Sequence, residues 1–139
     1  MKSKKILNMK VKDFLTYAEK LYNSSLKEKI IEQNQLENVL EKRIATLSKG
    51  YKQRLSLSYA LIKDPDFLIL DEPITGLDPK QIIEMRKLIM KLAETKTVLL
   101  STHILSEVHE MDCNINILSK GKIIETGDET SILKKSGCN

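Results

Sequence analysis

Residues Phe67–Asp78 read Phe-Leu-Ile-Leu-Asp-Glu-Pro-Ile-Thr-Gly-Leu-Asp, and this stretch constrains the fold more than any other. Four consecutive apolar residues run into two adjacent acids and then into a Pro- and Gly-containing turn. A short apolar run bounded by turn residues is the pattern of a strand buried on both faces. Acids at its end stand at the carboxyl edge of a sheet, where open α/β folds bind ligands. Asp71 is suited there to hold Mg²⁺, and Glu72 to orient or deprotonate a water, the division of labour that nucleotide hydrolysis needs. Read alone, the stretch is equally a strand that ends in a polar, Pro-stopped turn.

The chain can bury such a strand. Its 139 residues, 41% hydrophobic and 30% charged, suit one globular domain with a real core. Four Tyr, two Phe and no Trp leave little for base stacking. A net charge of +4, from 23 Lys and Arg against 19 Asp and Glu, is modest and scattered apart from the Lys2–Lys5 opening. Nucleic acid is therefore not expected as a partner. Cys113 and Cys138 lack metal-type spacing, and with only two His they read as reduced, incidental thiols of a cytoplasmic protein. No apolar run approaches a membrane span, and no apolar signal core follows the charged start.

Upstream of the central stretch the pattern is helical. Val11, Phe14, Leu15, Ala18, Leu21 and Tyr22 recur in steps of three and four on one face. Asn23-Ser24-Ser25 ends that helix and can cap the next, marked by Ile30 and Ile31; Leu36, Val39 and Leu40 mark a third amphipathic piece. Ser48 is a good N-cap for a helix running to about Lys63. A helix opening with Ser and Gly offers free N–H groups to phosphate, although an ordinary capped helix reads the same. Downstream, Pro79 suits the first turn of a helix whose apolar face is Ile82, Ile83, Met85, Leu88, Ile89 and Leu92. Val98, Leu99 and Leu100 then read as a second buried strand, which completes a parallel βαβ unit. It ends in Ser101-Thr102-His103, so a His follows the same carboxyl edge; a lone His is also a common structural residue. Ile104–Met111 is expected as a short helix with His109 on its surface, Ile115–Leu118 and Lys122–Thr126 as a β-hairpin, and Glu129–Lys135 as a last helix before a polar tail. Two parts are expected: a helical subdomain over 1–63 and an α/β part over 64–139.

Taken together, these stretches resemble the ATPase domain of ABC (ATP-binding cassette) proteins. Leu47-Ser48-Lys49-Gly50-Tyr51 is similar to the family signature Leu-Ser-Gly-Gly-Gln, and with Lys52-Gln53-Arg54 it is close to the ABC-2-type export group. Phe67–Glu72 resembles the Walker B strand, Thr75-Gly76-Leu77-Asp78 the D-loop, and His103 the switch histidine. Gly121 and Ile123-Ile124-Glu125-Thr126-Gly127 are similar to the family's final strands, and Lys10–Ile44 to the helical subdomain that docks on a membrane partner. The resemblance runs from about Asn8 to Leu133. It implies a partial P-loop α/β fold and ATP and Mg²⁺ as cofactors. It further implies Asp71 as metal ligand, Glu72 as general base, and His103 beside the reacting phosphate. Ser48, Lys49, Gly50 and Asp78 are implied in contact with nucleotide. The implied partners are a transporter membrane subunit and a second ATPase subunit, at the cytoplasmic face of a membrane.

One part of the pattern is absent. A Walker A loop, Gly-x-x-x-x-Gly-Lys-Ser/Thr, wraps the phosphates and holds them with Lys. The five Gly stand at 50, 76, 121, 127 and 137; no two are five apart, and Gly121-Lys122 is followed by Ile123. The upstream Gln and the adenine-stacking aromatic of the family are absent too. Without that Lys and its nest of N–H groups little remains to grip a triphosphate. These residues alone are expected not to hydrolyse ATP, and a sheet lacking the P-loop strand is expected to have an uncovered edge. Three readings follow: a catalytic subunit completed by a Walker A-bearing segment, a non-catalytic subunit lending its signature helix, or a truncated remnant, the last in keeping with an unfamilial Met1–Lys5.

Overall fold

The computed structural model describes residues 2–104, 106 and 111–135. The helix expected over Ile104–Met111 falls mostly outside these residues, as do His109, Cys138 and the polar tail. The chain is mixed α/β and divides into two compact units, one ending at Thr102 and one beginning at His103.

The first unit opens with helices. α1 (Lys2–Asn8) is followed by α2 (Val11–Tyr22) and α3 (Lys27–Gln33). On α2 the expected stripe is real at Val11, Leu15 and Ala18, all fully buried. Leu21 instead is 53% exposed, because at about 100° per residue it falls at the edge of that stripe rather than on it. Phe14 and Tyr22 reach across to Tyr59: the Phe14 and Tyr59 rings stack at 5.4 Å, and the Tyr22 and Tyr59 hydroxyls meet at 2.6 Å. Asn23 adopts the left-handed conformation (φ 50°) that closes many helices. Ser25 does not cap α3; Leu26 precedes that helix, and Ser24 Oγ accepts from the Leu26 N–H. Leu36 and Val39 are buried as expected, but the regular structure there is a single 3₁₀ turn, Glu37–Val39, which Leu36 precedes. A second 3₁₀ turn, Ile44–Thr46, leads to α4 (Lys49–Leu61), which packs against both α2 and α3.

β1 (Phe67–Asp71), α5 (Pro79–Ala93) and β2 (Thr97–Ser101) follow. The strands pair in parallel, from Phe67 opposite Thr97 to Asp71 opposite Ser101, so the expected βαβ unit is present. α5 packs on β2 and buries Met85, Leu88, Ile89 and Leu92. The expectation that both strands are buried on both faces is corrected. Phe67, Ile69 and Leu99 are 51%, 69% and 51% exposed, whereas Leu68 is 3%. Side chains alternate across a strand, and among the described residues only the Leu68 side of the pair is well covered. A run of four apolar residues specifies a strand that wants two covers; this unit supplies one.

The second unit holds β3 (Ile115–Ser119) and β4 (Lys122–Gly127), an antiparallel hairpin with a register irregularity after Ile117, and α6 (Glu129–Lys135), which packs on β4. Lys120 and Gly121 both have positive φ, 49° and 75°, as a two-residue hairpin turn requires. Cys113 is a free thiol. No helix of the described residues is long and apolar enough to cross a membrane.

Candidate active site at the end of the first strand

Asp71 is the last residue of β1, and Ser101 opposite it donates from Oγ to Asp71 Oδ1. The Glu72 N–H extends the ladder by one bond to Ser101 O at 3.1 Å. Glu72 then turns the chain out of the sheet with φ 48°. That left-handed conformation costs a non-glycine residue about 1–2 kcal/mol, so its surroundings must hold it. Side chains among the described residues that do so include Thr75, whose Oγ1 donates to Glu72 Oε2, and Gln53 of α4, whose Nε2 donates to Glu72 O at 3.4 Å.

The turn that follows is anchored by Ile74 and Leu77, 1% and 9% exposed. Between them Gly76 has φ 74°, and a Cβ there would collide with Lys49 Nζ. Asp78 closes the turn as N-cap of α5. Gln81 N donates to Asp78 Oδ1 at 2.9 Å, Asp78 N donates to Gln81 Oε1 at 3.4 Å, and Pro79 takes the first helical position. This reciprocal capping box satisfies two otherwise unpaired N–H groups.

The N-terminus of α4 is built against the same turn. Ser48 is its N-cap, accepting from Tyr51 N at 3.4 Å, and Leu47 before it is buried. A Cβ on Gly50 would come within 2.9 Å of Gln81 Cδ, so the absent side chain is what admits Gln81. α4 thus touches the Glu72–Gln81 segment at three successive points, through Lys49, Gly50 and Gln53. At the next residue, the Arg54 guanidinium is buried. It donates to Gln35 Oε1 at 2.8 Å and Asn34 O at 3.3 Å, and pairs with Glu84 of α5.

Of the expected site residues, Asp71, Glu72, Asp78, Ser48, Lys49 and Gly50 belong to the first unit, where the α4 start and the β1–α5 turn pack together. His103 is exposed and begins the second unit, two residues past Ser101. Sequence reasoning missed Gln53, Thr75 and Gln81. Two of them had a local signal: Lys49 and Gln53 share a helix face at i and i+4, and Asp78-x-x-Gln81 is a capping-box spacing.

Whether Mg²⁺ fits can be judged from the donors. Asp71 and Ser101 offer adjacent hard oxygens at an exposed edge. Among the described residues no group of three or more His, Cys, Asp or Glu could enclose a metal ion. Mg²⁺ commonly binds through one or two carboxylates, with phosphate oxygens and waters completing its shell, so Asp71 fits an ion that arrives with a nucleotide.

The sequence pattern of the ABC transporter family matches residues 4–75. Over 111 residues the chain is 43% identical to the Nod factor export ATP-binding protein I of Rhizobium meliloti, covering 78% of this chain and 33% of that one. It is 44% identical over 92 residues to the bacitracin transport ATP-binding protein BcrA of Bacillus licheniformis, covering 65% and 30%. A solved structure described as the ATP binding subunit of an ABC transporter superposes with a TM-score of 0.73 at 28% identity, covering 95% of this chain and 58% of that one. The chain spans about a third of the length of the Nod factor export and bacitracin transport relatives. With the strand-end acids, the capped α4 and the turn between them arranged as described, the chain belongs to the ABC transporter family, as part of its ATP-binding subunit.

Proposed function

We propose that this chain supplies the Walker B, D-loop and signature-helix portion of the ATP-binding subunit of an ABC exporter, and that it acts once a Walker A-bearing segment completes it. The observation that carries this reading is the Asp71–Glu72 pair at the carboxyl end of a parallel strand, with the acid side chains held by Ser101 and Thr75. In this reading 1–63 is the helical subdomain ending in the signature helix, and 64–139 carries the remaining motifs. Asp71 lends a carboxylate to Mg²⁺, which when bound with ATP neutralises phosphate charge. Glu72 accepts the proton of the attacking water, and His103 hydrogen-bonds the γ-phosphate or that water. Ser48, Lys49 and Gly50 meet the γ-phosphate of a second nucleotide at the N-terminus of α4, and Asp78, which caps α5, also contacts nucleotide.

The naked face of Phe67, Ile69 and Leu99 supports a requirement for a covering segment. The relatives' names, Nod factor export and bacitracin transport, support export through a membrane subunit, with the chain peripheral at the cytoplasmic face. The absence of Gly-x-x-x-x-Gly-Lys-Ser/Thr from these 139 residues favours a second reading, a non-catalytic subunit that lends its signature helix to a complete ATPase. Glu72→Gln in the completed complex tests the first. It is expected to bind MgATP and trap it without turnover, whereas unchanged hydrolysis would remove Glu72 from the role of base.

A further inference from the structure

Described residues hold Glu72 at its N–H, its carboxylate and its carbonyl, and the contact contributed by α4 has a cost that local structure does not explain. Its N–H is bonded to Ser101 O in β2, its carboxylate accepts from Thr75, and its carbonyl accepts from Gln53 Nε2 at 3.4 Å. A carbonyl accepts only, so the Gln53 amide must face it with nitrogen. Gln53 Oε1 is then buried with no hydrogen-bond partner among the described residues. The bond to Glu72 O is thus made at the cost of an unpaired acceptor on the same side chain. The donor nevertheless meets the one residue of the turn that combines a left-handed backbone, φ 48°, with the side chain proposed as base.

The same helix touches the turn at two earlier points, Lys49 over Gly76 and Gly50 against Gln81. Lys49 and Gln53 lie at i and i+4, so the face of α4 that starts at the proposed phosphate-facing end runs directly onto Glu72.

We propose that Gln53 is a positioning residue for Glu72. It fixes the Glu72 peptide to α4, so that a phosphate seated at the start of α4 stiffens the Glu72–Gly76 turn and sets the carboxylate for the site to which Glu72 belongs. The catalytic part of this role rests on the proposed function above; the mechanical part does not.

The two parts are tested separately. In the full chain without nucleotide, amide hydrogen exchange is followed in wild type and in Gln53→Met, which keeps length and bulk and removes the donor. Loss of one bond is expected to speed exchange in the Glu72–Gly76 segment about 5-fold, with the amides of Leu57 and Leu88 unchanged. Lys52→Met, an exposed neighbour on α4, is expected to change neither. Unchanged exchange at Glu72–Gly76 would overturn the proposal, as would an equal rise at Leu57 and Leu88, which marks general destabilisation. In the assembly completed by a Walker A-bearing segment, Gln53→Met is expected to lower kcat for MgATP about 10-fold, less than the roughly 100-fold cost of a ~1 Å misplacement, at unchanged KM. If Glu72→Gln abolishes turnover there but Gln53→Met leaves kcat intact, the positioning role falls. If Glu72→Gln itself leaves turnover intact, the assignment of the base falls and the exchange result still decides the mechanical part.

Discussion

Arg54 shows how much one buried side chain joins in this fold. Its side chain is 9% exposed and meets Gln35 and the Asn34 carbonyl after α3, and Glu84 of α5. A guanidinium fills such a place because its fixed fork can serve several acceptors at once. Arg54→Ala leaves those acceptors without a donor and opens a gap between three helices. Because Glu84 is 35% exposed and keeps some water, the expected cost is below that of breaking a fully buried pair, about 2–3 kcal/mol, measured as a lower urea midpoint at unchanged slope. The sequence shows Arg54 only as the end of Lys52-Gln53-Arg54, beside the signature. Its burial was not legible there, because Arg is ordinarily exposed and its partners lie 19 to 30 residues away. Asp71 and Glu72 were legible as the acidic end of a strand, and it was their order with the other family-like stretches, not the apolar run alone, that marked them as candidate site residues.

Elements were easier to read than their environments. α4 begins at Lys49 behind Ser48, and α5 begins at Pro79 behind Asp78, because caps and Pro announce helix starts within a few residues. The parallel pair followed from two apolar runs flanking one helix. The environment of the strands did not follow: a continuous apolar run reports that a strand needs covers, and it is silent on whether this chain provides them. The two 3₁₀ turns were missed as such because three residues carry no period. Electrostatics at this scale joins α2 to the loop before the second 3₁₀ turn. Hydrogen bonds from Lys10 and then Lys12 hold the Glu41 carboxyl at a pKa of about 2, below its usual value of 4.5. A carboxyl depressed by folding stabilises above its unfolded pKa and loses that contribution as pH falls through the folded value. Thermal midpoints are therefore expected to drop between about pH 5 and pH 2, and Glu41→Gln to drop less over that interval. An equal slope in both proteins would show that the Lys10–Glu41–Lys12 contacts do not couple to stability.

On the scale of the whole molecule, the chain is a family member that carries some motifs of an ATP site and not others. Asp71, Glu72 and the capped start of α4 are ordered against one another by Ser101, Thr75, Gln53 and Gln81, without any phosphate-wrapping loop in the 139 residues. Without the Lys and N–H groups of such a loop, two carboxylates repel a bare triphosphate, and Mg²⁺ between them leaves most of the phosphate charge ungripped. The naked Phe67, Ile69 and Leu99 face is the packing counterpart of that chemical gap. The order of the motifs was legible in the sequence; that the supporting contacts form within one unit required the structure, because Gln53, Glu72 and Ser101 come from three elements. The direct test is calorimetric titration of ATP with Mg²⁺ into this chain alone, and again after a Walker A-bearing segment is added. The account predicts no micromolar binding by the chain alone and binding in the completed assembly; micromolar binding by the chain alone would contradict it.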